Sequence, residues 1–183
     1  MMPELSLNIL DVAKNSVTAG ADLITITVAA DTAADRLTIA IADNGCGMTE
    51  EQVARVTDPF FTTRTTRKVG LGIPFFKMAA ELTGGSFAIV STVNVGTTTT
   101  AIFGLTHIDR MPMGDLAGSI STLIQASPDI DFVLDYSADD KAFTMDTREF
   151  RAILGDVPLN MPEVLGYIEG FLTENIAECG VEL

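Results

Sequence analysis

Apolar residues in the first part of the chain recur at two spacings, one typical of helices and one typical of strands. Leu5, Ile9 and Val12 recur at helical spacing, which predicts a helix over 4–18 that ends at Gly20. Alternation of apolar and polar residues predicts strands further along the chain. These predicted strands cover residues 23–29, 37–43, 86–92 and 97–105.

Two helical segments are predicted between these strands. Thr49 and Gln52 form a capping box that opens a short helix. Residues 58–70 form a predicted loop, and a helix over 73–83 follows. The order of helices and strands predicts an α/β sandwich, with helices packed on one face of a mixed β-sheet.

Charge divides the chain near residue 106. The whole chain has 11 basic and 25 acidic residues, a formal net charge of -14. Residues 1–106 contain 7 basic and 10 acidic residues, and residues 107–183 contain 4 and 15. We therefore predict a domain over 1–106 and an acidic extension over 107–183. Such a field repels nucleic acid and anionic membranes, so we expect neither as a partner.

The acidic extension carries enough regularly spaced apolar residues to fold. Predicted helices cover 115–125, 147–154 and 163–178, and a predicted hairpin covers 130–136 and 142–146. We predict a small α+β unit that packs against the N-terminal sheet and docks a protein partner, the alternative being that its charge serves only solubility. No apolar run of membrane-spanning length and no secretory signal is visible, so the expected location is cytoplasmic.

A polar stripe on the first helix has the composition of a cation and water site. Asp11, Asn15 and Thr18 follow one another at helical spacing. An amide oxygen can ligate Mg²⁺, and a carboxylate one turn away can orient a water molecule. The alternative is a solvated polar face.

The second strand runs directly into Asp43-Asn44-Gly45-Cys46-Gly47-Met48. A carboxylate followed by two glycines lets a flat ring approach the backbone closely. The alternative is an ordinary Asp-Asn-Gly turn.

Residues 58–72 combine cations, hydroxyls and glycines ahead of a predicted helix. Arg64 and Lys68 follow a pair of threonines and precede Gly70-Leu71-Gly72. Such groups suit a polyphosphate, whereas the alternative is a solvated basic loop.

Four sequence boxes, taken together, resemble those of the GHKL superfamily, the ATP-binding domain shared by histidine kinases, gyrase and mismatch-repair ATPases. Residues 11–21 resemble the N box, 43–48 the first glycine box, 58–64 the F box and 70–73 the second glycine box. The resemblance covers about residues 4–105. It implies the GHKL ATPase fold for 1–106, with ATP and Mg as cofactors.

The resemblance also implies roles for individual residues. Asp43 would accept a hydrogen bond from the adenine amino group, with support from Thr98, and Asn15 would ligate Mg. Asp11 would be the general base, where the family usually has a glutamate. The other nucleotide-binding positions implied are Gly45, Gly47, Phe60, Thr62, Thr63, Arg64, Lys68, Gly70, Leu71 and Gly72.

Several functions share such a pocket. We predict an ATP-binding module that is a slow ATPase or a phosphotransfer or regulatory subunit acting with a protein partner. A nucleotide-gated interaction protein with negligible turnover and an anti-sigma-type serine kinase are the alternatives. His107, the single histidine, falls in the predicted linker, so we expect no autonomous histidine kinase.

Overall fold

A computed structural model describes residues 2–58 and 71–183, and its helices and strands agree with the predicted elements. The helices are α1 (Leu5–Thr18), α2 (Glu50–Val56), α3 (Gly72–Leu82), α4 (Leu116–Ala126), α5 (Thr147–Leu154) and α6 (Pro162–Cys179). The strands are β1 (Leu23–Asp31), β2 (Arg36–Asp43), β3 (Ser86–Thr92), β4 (Gly96–Gly104), β5 (Asp131–Ala138) and β6 (Lys141–Asp146).

The six strands form one mixed sheet in the order β3-β4-β2-β1-β5-β6. β1 and β5 are parallel, and every other neighbouring pair is antiparallel. Alternate residues of β1, β2 and β4 are buried, so one face of each strand points into a core that the helices cover. The predicted α/β sandwich is confirmed.

The acidic extension joins the N-terminal sheet along an edge. β5 pairs with β1 over eight positions, from Leu23 opposite Asp131 to Ala30 opposite Ala138. Buried residues from both parts of the chain belong to a single hydrophobic core. The two parts therefore share a sheet and a core, and the division into two domains at residue 106 stays a prediction.

The linker after β4 fixes the start of α1. Glu4 precedes that helix and provides no side-chain cap. Instead, the backbone N–H groups of Leu5 and Ser6 donate to the carbonyls of Pro112 and Met113, at 2.9 and 2.8 Å. These bonds satisfy N–H groups that have no partner within the helix, and they anchor the element that carries the polar stripe.

Two local predictions concern α2 and the histidine. Thr49 Oγ1 accepts from the Gln52 N–H and Gln52 Oε1 accepts from the Thr49 N–H, so the predicted capping box is present.

His107 lies in a turn after β4, where its Nδ1 accepts from the Asp109 N–H. Across the described parts of the chain, the search for a helix able to cross a membrane finds none.

Candidate functional site

Asp43, the last residue of β2, is held by two hydrogen bonds. Its Oδ2 accepts from the Ser16 hydroxyl at 2.5 Å, and its Oδ1 accepts from the Gly45 N–H at 2.9 Å. Ser16 is only 4% exposed and lies on the face of α1 that packs against the sheet. Because both oxygens are held, the carboxylate has one orientation, although the residue is only partly buried.

Gly45 and Gly47 lie where the backbone has no room for a side chain. A Cβ on Gly45 would lie 2.9 Å from Ala19 and 3.0 Å from the Asp43 carboxylate. Gly47 has a φ of +67°, and a Cβ there would collide with the Thr92 carbonyl. The predicted glycine requirement has a physical cause at both positions, because the loop passes closely between α1 and the β3–β4 turn.

The rest of the loop is tied to the ends of neighbouring elements. Asn44 Oδ1 accepts from the N–H groups of Asp22 and Leu23, at 3.0 and 3.1 Å. The Cys46 N–H donates to the Ala19 carbonyl. These bonds hold the loop against the end of α1 and the start of β1. The backbone that follows Asp43 is therefore fixed at both places.

Asp11 and Asn15 present their side chains one turn apart, as predicted from their spacing. Asp11 is partly buried and Asn15 is exposed. Within residues 2–58 and 71–183, neither side chain has a hydrogen-bond partner. No described residue therefore occupies the oxygens that a ligand would contact. Thr18 differs, because its hydroxyl donates to the Lys14 carbonyl at 3.1 Å.

The N-terminus of α3 lies against Asp11. A Cβ on Gly72 would come within 3.0 Å of the Asp11 Cβ and 3.6 Å of its Oδ2. Leu71, directly before the helix, is 40% exposed and provides no side-chain cap. The partial positive charge of a helix N-terminus is therefore close to the Asp11 carboxylate.

The strand register separates Thr98 from Asp43. Thr98 pairs with Ala42, whereas Thr97 pairs with Asp43 and Thr99 with Ile41. Side chains alternate across a strand, so Thr98 lies on the opposite face of the sheet from Asp43. Thr97 is the threonine on the same face as Asp43.

Sequence reasoning missed three hydroxyl groups near Asp43. Ser16 holds the carboxylate, as described above. Thr97 Oγ1 lies 2.8 Å from Ser91 Oγ, which also accepts from the Met48 N–H at 2.7 Å. Alternation along a strand shows which residues share a face. To relate that face to Asp43 on another strand, the pairing register between the strands must also be known.

Six predicted nucleotide-binding residues lie outside the described residues. They are Phe60, Thr62, Thr63, Arg64, Lys68 and Gly70. Of the remaining predicted positions, the structure places Asp43, Gly45 and Gly47 around one end of α1 and β2. It places Asp11 and Gly72 together near the middle of α1.

The side chains fit a nucleotide and a hard cation. The described residues contain no cluster of three acidic, histidine or cysteine side chains that could hold a metal ion by themselves. Mg²⁺ is commonly held by one or two protein oxygens together with substrate phosphates. The amide oxygen of Asn15, one helical turn from Asp11 on α1, suits that arrangement.

The N-terminal part of the chain resembles proteins of a known family. The model of the family described as "Histidine kinase-, DNA gyrase B-, and HSP90-like ATPase" matches residues 2–107. A "Putative sensor protein" of Shewanella frigidimarina is 39% identical over 72 residues, which are 39% of this chain and 11% of that protein. The virulence sensor protein BvgS of Bordetella bronchiseptica is 26% identical over 115 residues, 60% of this chain and 9% of that protein.

One solved structure gives a likeness at the level of the fold. The N-terminal domain of a DNA repair protein aligns with a TM-score of 0.50 at 14% identity, over 79% of this chain and 52% of that chain. The catalytic domain of the histidine kinase ThkA aligns with a TM-score of 0.44 at 22% identity, over 57% of this chain and 68% of that one. The chain thus spans about a tenth of the length of the sensor proteins that it matches.

Proposed function

Because the chain belongs to the histidine kinase-, DNA gyrase B- and HSP90-like ATPase family and carries its GHKL ATP-binding module, we propose that it binds Mg-ATP between Asp43 and Asp11. We propose further that it is a slow ATPase or a phosphotransfer or regulatory subunit that acts with a protein partner. The observation that carries the proposal is the fixed Asp43 carboxylate near the C-terminal end of α1, with the α3 N-terminus against Asp11 near the middle of that helix.

Asp43 recognises the base in this proposal. An ionised carboxylate accepts hydrogen bonds only, which matches the adenine amino group as a donor. Ser16 and Gly45 hold it in place before the ligand arrives, and this lowers the ordering cost of binding. Thr97, on the same face of the sheet, replaces Thr98 as the residue that supports the contact.

The phosphates lie beside α1 and the N-terminus of α3 in this proposal. The bound Mg²⁺ would neutralise phosphate charge, with Asn15 as its protein ligand. The α3 N-terminus at Gly72 offers backbone N–H groups to an anion. Asp11 would orient the attacking water and accept its proton. Arg64 and Lys68 remain proposed phosphate contacts on the grounds of the family resemblance.

The length of Asp11 supports slow turnover. Its side chain is one methylene shorter than the glutamate usual in the family, and a displacement of ~1 Å at a reacting atom can cost ~10²-fold in rate. No hydrogen bond from another described residue orients its carboxylate. This same observation favours the second candidate, a protein that changes its partner contacts on binding ATP and hydrolyses it negligibly.

Calorimetric titration with Mg-ATP tests the site. Asp43→Ala should weaken binding by ~1–3 kcal/mol or more, because the amino group of the base would lose its acceptor. Asp156→Ala removes an exposed carboxylate distant in sequence from the site and serves as the control. Unchanged affinity in Asp43→Ala would show that the base does not bind there.

Turnover separates the two candidates. Labelled ATP is incubated with the protein, with and without cell extract, and the label is followed to free phosphate, to this chain or to another protein. As a slow ATPase, the protein should release phosphate below the ~1–10³ s⁻¹ common for enzymes, and Asp11→Asn should reduce the rate while sparing affinity. Brisk turnover, or turnover indifferent to Asp11→Asn, contradicts the assignment of Asp11.

A further inference from the structure

An apolar groove lies between β6, α5 and α6, on the acidic extension. It has a volume of about 190 Å³, and its apolar lining comes from Met145, Phe150, Ile153, Tyr167 and Phe171. Phe150 and Phe171 are partly buried and form its floor. Ile153 is 83% exposed and Tyr167 is 67% exposed. Two large apolar side chains thus stand in water beside a preformed aromatic floor.

The aromatic rings of the groove are packed against one another. The Phe150 ring lies 6.1 Å from that of Tyr167 at 72°, and 6.2 Å from that of Phe171 at 80°. Edge-to-face packing of this kind restrains the rings without any ligand. The groove is therefore a formed surface that an incoming side chain can enter at low ordering cost.

Carboxylates lie in and beside the groove. Asp146 and Glu149 line it directly. On α6, Glu163, Tyr167 and Glu174 follow at positions that share one helical face, so a carboxylate stands on each side of the exposed ring. All three glutamates are exposed, and within the described ranges no ion pair involves them.

Two cations lie near these carboxylates, and each is paired with an aspartate. Arg148 donates to Asp146 at 2.7 Å, and Arg151 donates to Asp131 at 2.7 Å and to the Pro128 carbonyl. Arg151 is thus held away from the groove, whereas Arg148 pairs with a lining carboxylate and interacts electrostatically with Glu149. The four carboxylates in and beside the groove outnumber this one cation, so the net charge there is negative, which attracts cations and repels nucleic acid.

We infer that this groove docks an amphipathic helix of a partner protein, with apolar residues at helical spacing on one face and Lys or Arg beside them. The apolar anchors would cover Ile153 and Tyr167, and the cations would meet Glu149, Glu163 and Glu174. The inference rests on the proposed function in that it assumes a protein partner, and it does not depend on nucleotide binding. β6 stands three strands from β2, about 14 Å away at ordinary strand spacing.

A synthetic peptide tests the groove. The probe is a fluorescein-labelled 18-residue peptide with Leu at i, i+3, i+4 and i+7 spacing and Lys on the flanks, measured by fluorescence anisotropy on the full chain. Ile153→Ser and Tyr167→Ser should each weaken binding roughly tenfold or more, as expected for central anchors. Glu149→Gln combined with Glu163→Gln should weaken binding and flatten its salt dependence.

Matched controls decide between docking and general attraction. Ile108 is 94% exposed in the linker, and Ile108→Ser should leave affinity unchanged. A scrambled peptide of the same composition, which lacks the apolar stripe, should bind weakly. Absence of peptide binding, equal binding of the scrambled peptide, or equal loss in Ile108→Ser overturns the inference.

Two further readouts keep this test apart from others. Light scattering that shows a dimer broken by Ile153→Ser would overturn the proposal by making a second copy the occupant. Mg-ATP affinity should be unchanged in Ile153→Ser. Failure of the peptide with normal ATP binding refutes the groove alone, whereas loss of ATP binding in Asp43→Ala tests the nucleotide site separately.

Discussion

The hydroxyl of Ser16 provides the sharpest test of how the candidate site is built. It is 4% exposed on α1, and it donates to Asp43 Oδ2 at 2.5 Å across 27 residues of sequence. Ser16→Ala removes this donor and a single oxygen atom, without adding bulk. The Asp43 carboxylate would keep the Gly45 N–H as its only donor among the hydrogen bonds described above.

The structure allows two magnitudes to be worked out. A hydrogen bond to a charged group contributes ~1.5–3 kcal/mol to stability, so the free energy of unfolding should fall by about that amount. Nucleotide binding would then have to order a looser carboxylate. Immobilising one side chain costs ~0.5–1.5 kcal/mol, which corresponds to a rise in Kd of about two- to tenfold.

The assay is a pair of measurements on two serine variants of the same helix. Urea unfolding reports stability, and calorimetric titration with Mg-ATP reports affinity. Ser6 is also fully buried on α1, and its hydroxyl donates to Glu4 Oε2 at 3.2 Å, away from Asp43. Ser6→Ala should therefore leave the Kd unchanged.

Two results would refute this reasoning. One is a folded Ser16→Ala protein with the Kd of the unaltered chain, since Asp43 would then not need Ser16 to be in place. The other is an equal rise in Kd in Ser6→Ala, which would indicate a general loosening of α1.

Two other changes have predictable effects on stability. Gly47→Ala should lower the free energy of unfolding by ~1–3 kcal/mol, because φ is +67° and the new Cβ would meet the Thr92 carbonyl. Gly166→Ala in α6, with nothing within 4 Å, should raise the free energy of unfolding by ~0.5–1 kcal/mol. Equal urea midpoints of the two variants would contradict both expectations. The hydrogen bond from Arg148 lowers the pKa of Asp146 below its ordinary 3.8. The stabilisation is therefore fully present above pH 3.8 and is lost as the pH falls through the lowered pKa. Asp146→Asn should lower the free energy of unfolding, measured with urea, and this loss should shrink below that pH. A loss that stays constant with pH would contradict the pairing.

The sequence alone determined most elements and several site residues, because the interactions responsible are local. The capping box of α2 involves residues three apart, and the helical face of Asp11 and Asn15 follows from a period of 3.6. The glycines of the first glycine box were identified by their place after a strand, and the collision that a Cβ on Gly47 would cause supports that identification.

Only the tertiary structure decided which residues meet. Thr97 rather than Thr98 faces the site because Asp43 pairs with Thr97, and that register is set between strands some fifty residues apart. Ser16 reaches Asp43 only when α1 packs on the sheet. β5 joins β1 in parallel, and the carbonyls of Pro112 and Met113 begin α1. Such contacts depend on which distant surfaces bury each other, and a periodic pattern specifies the face that is buried without specifying its neighbour.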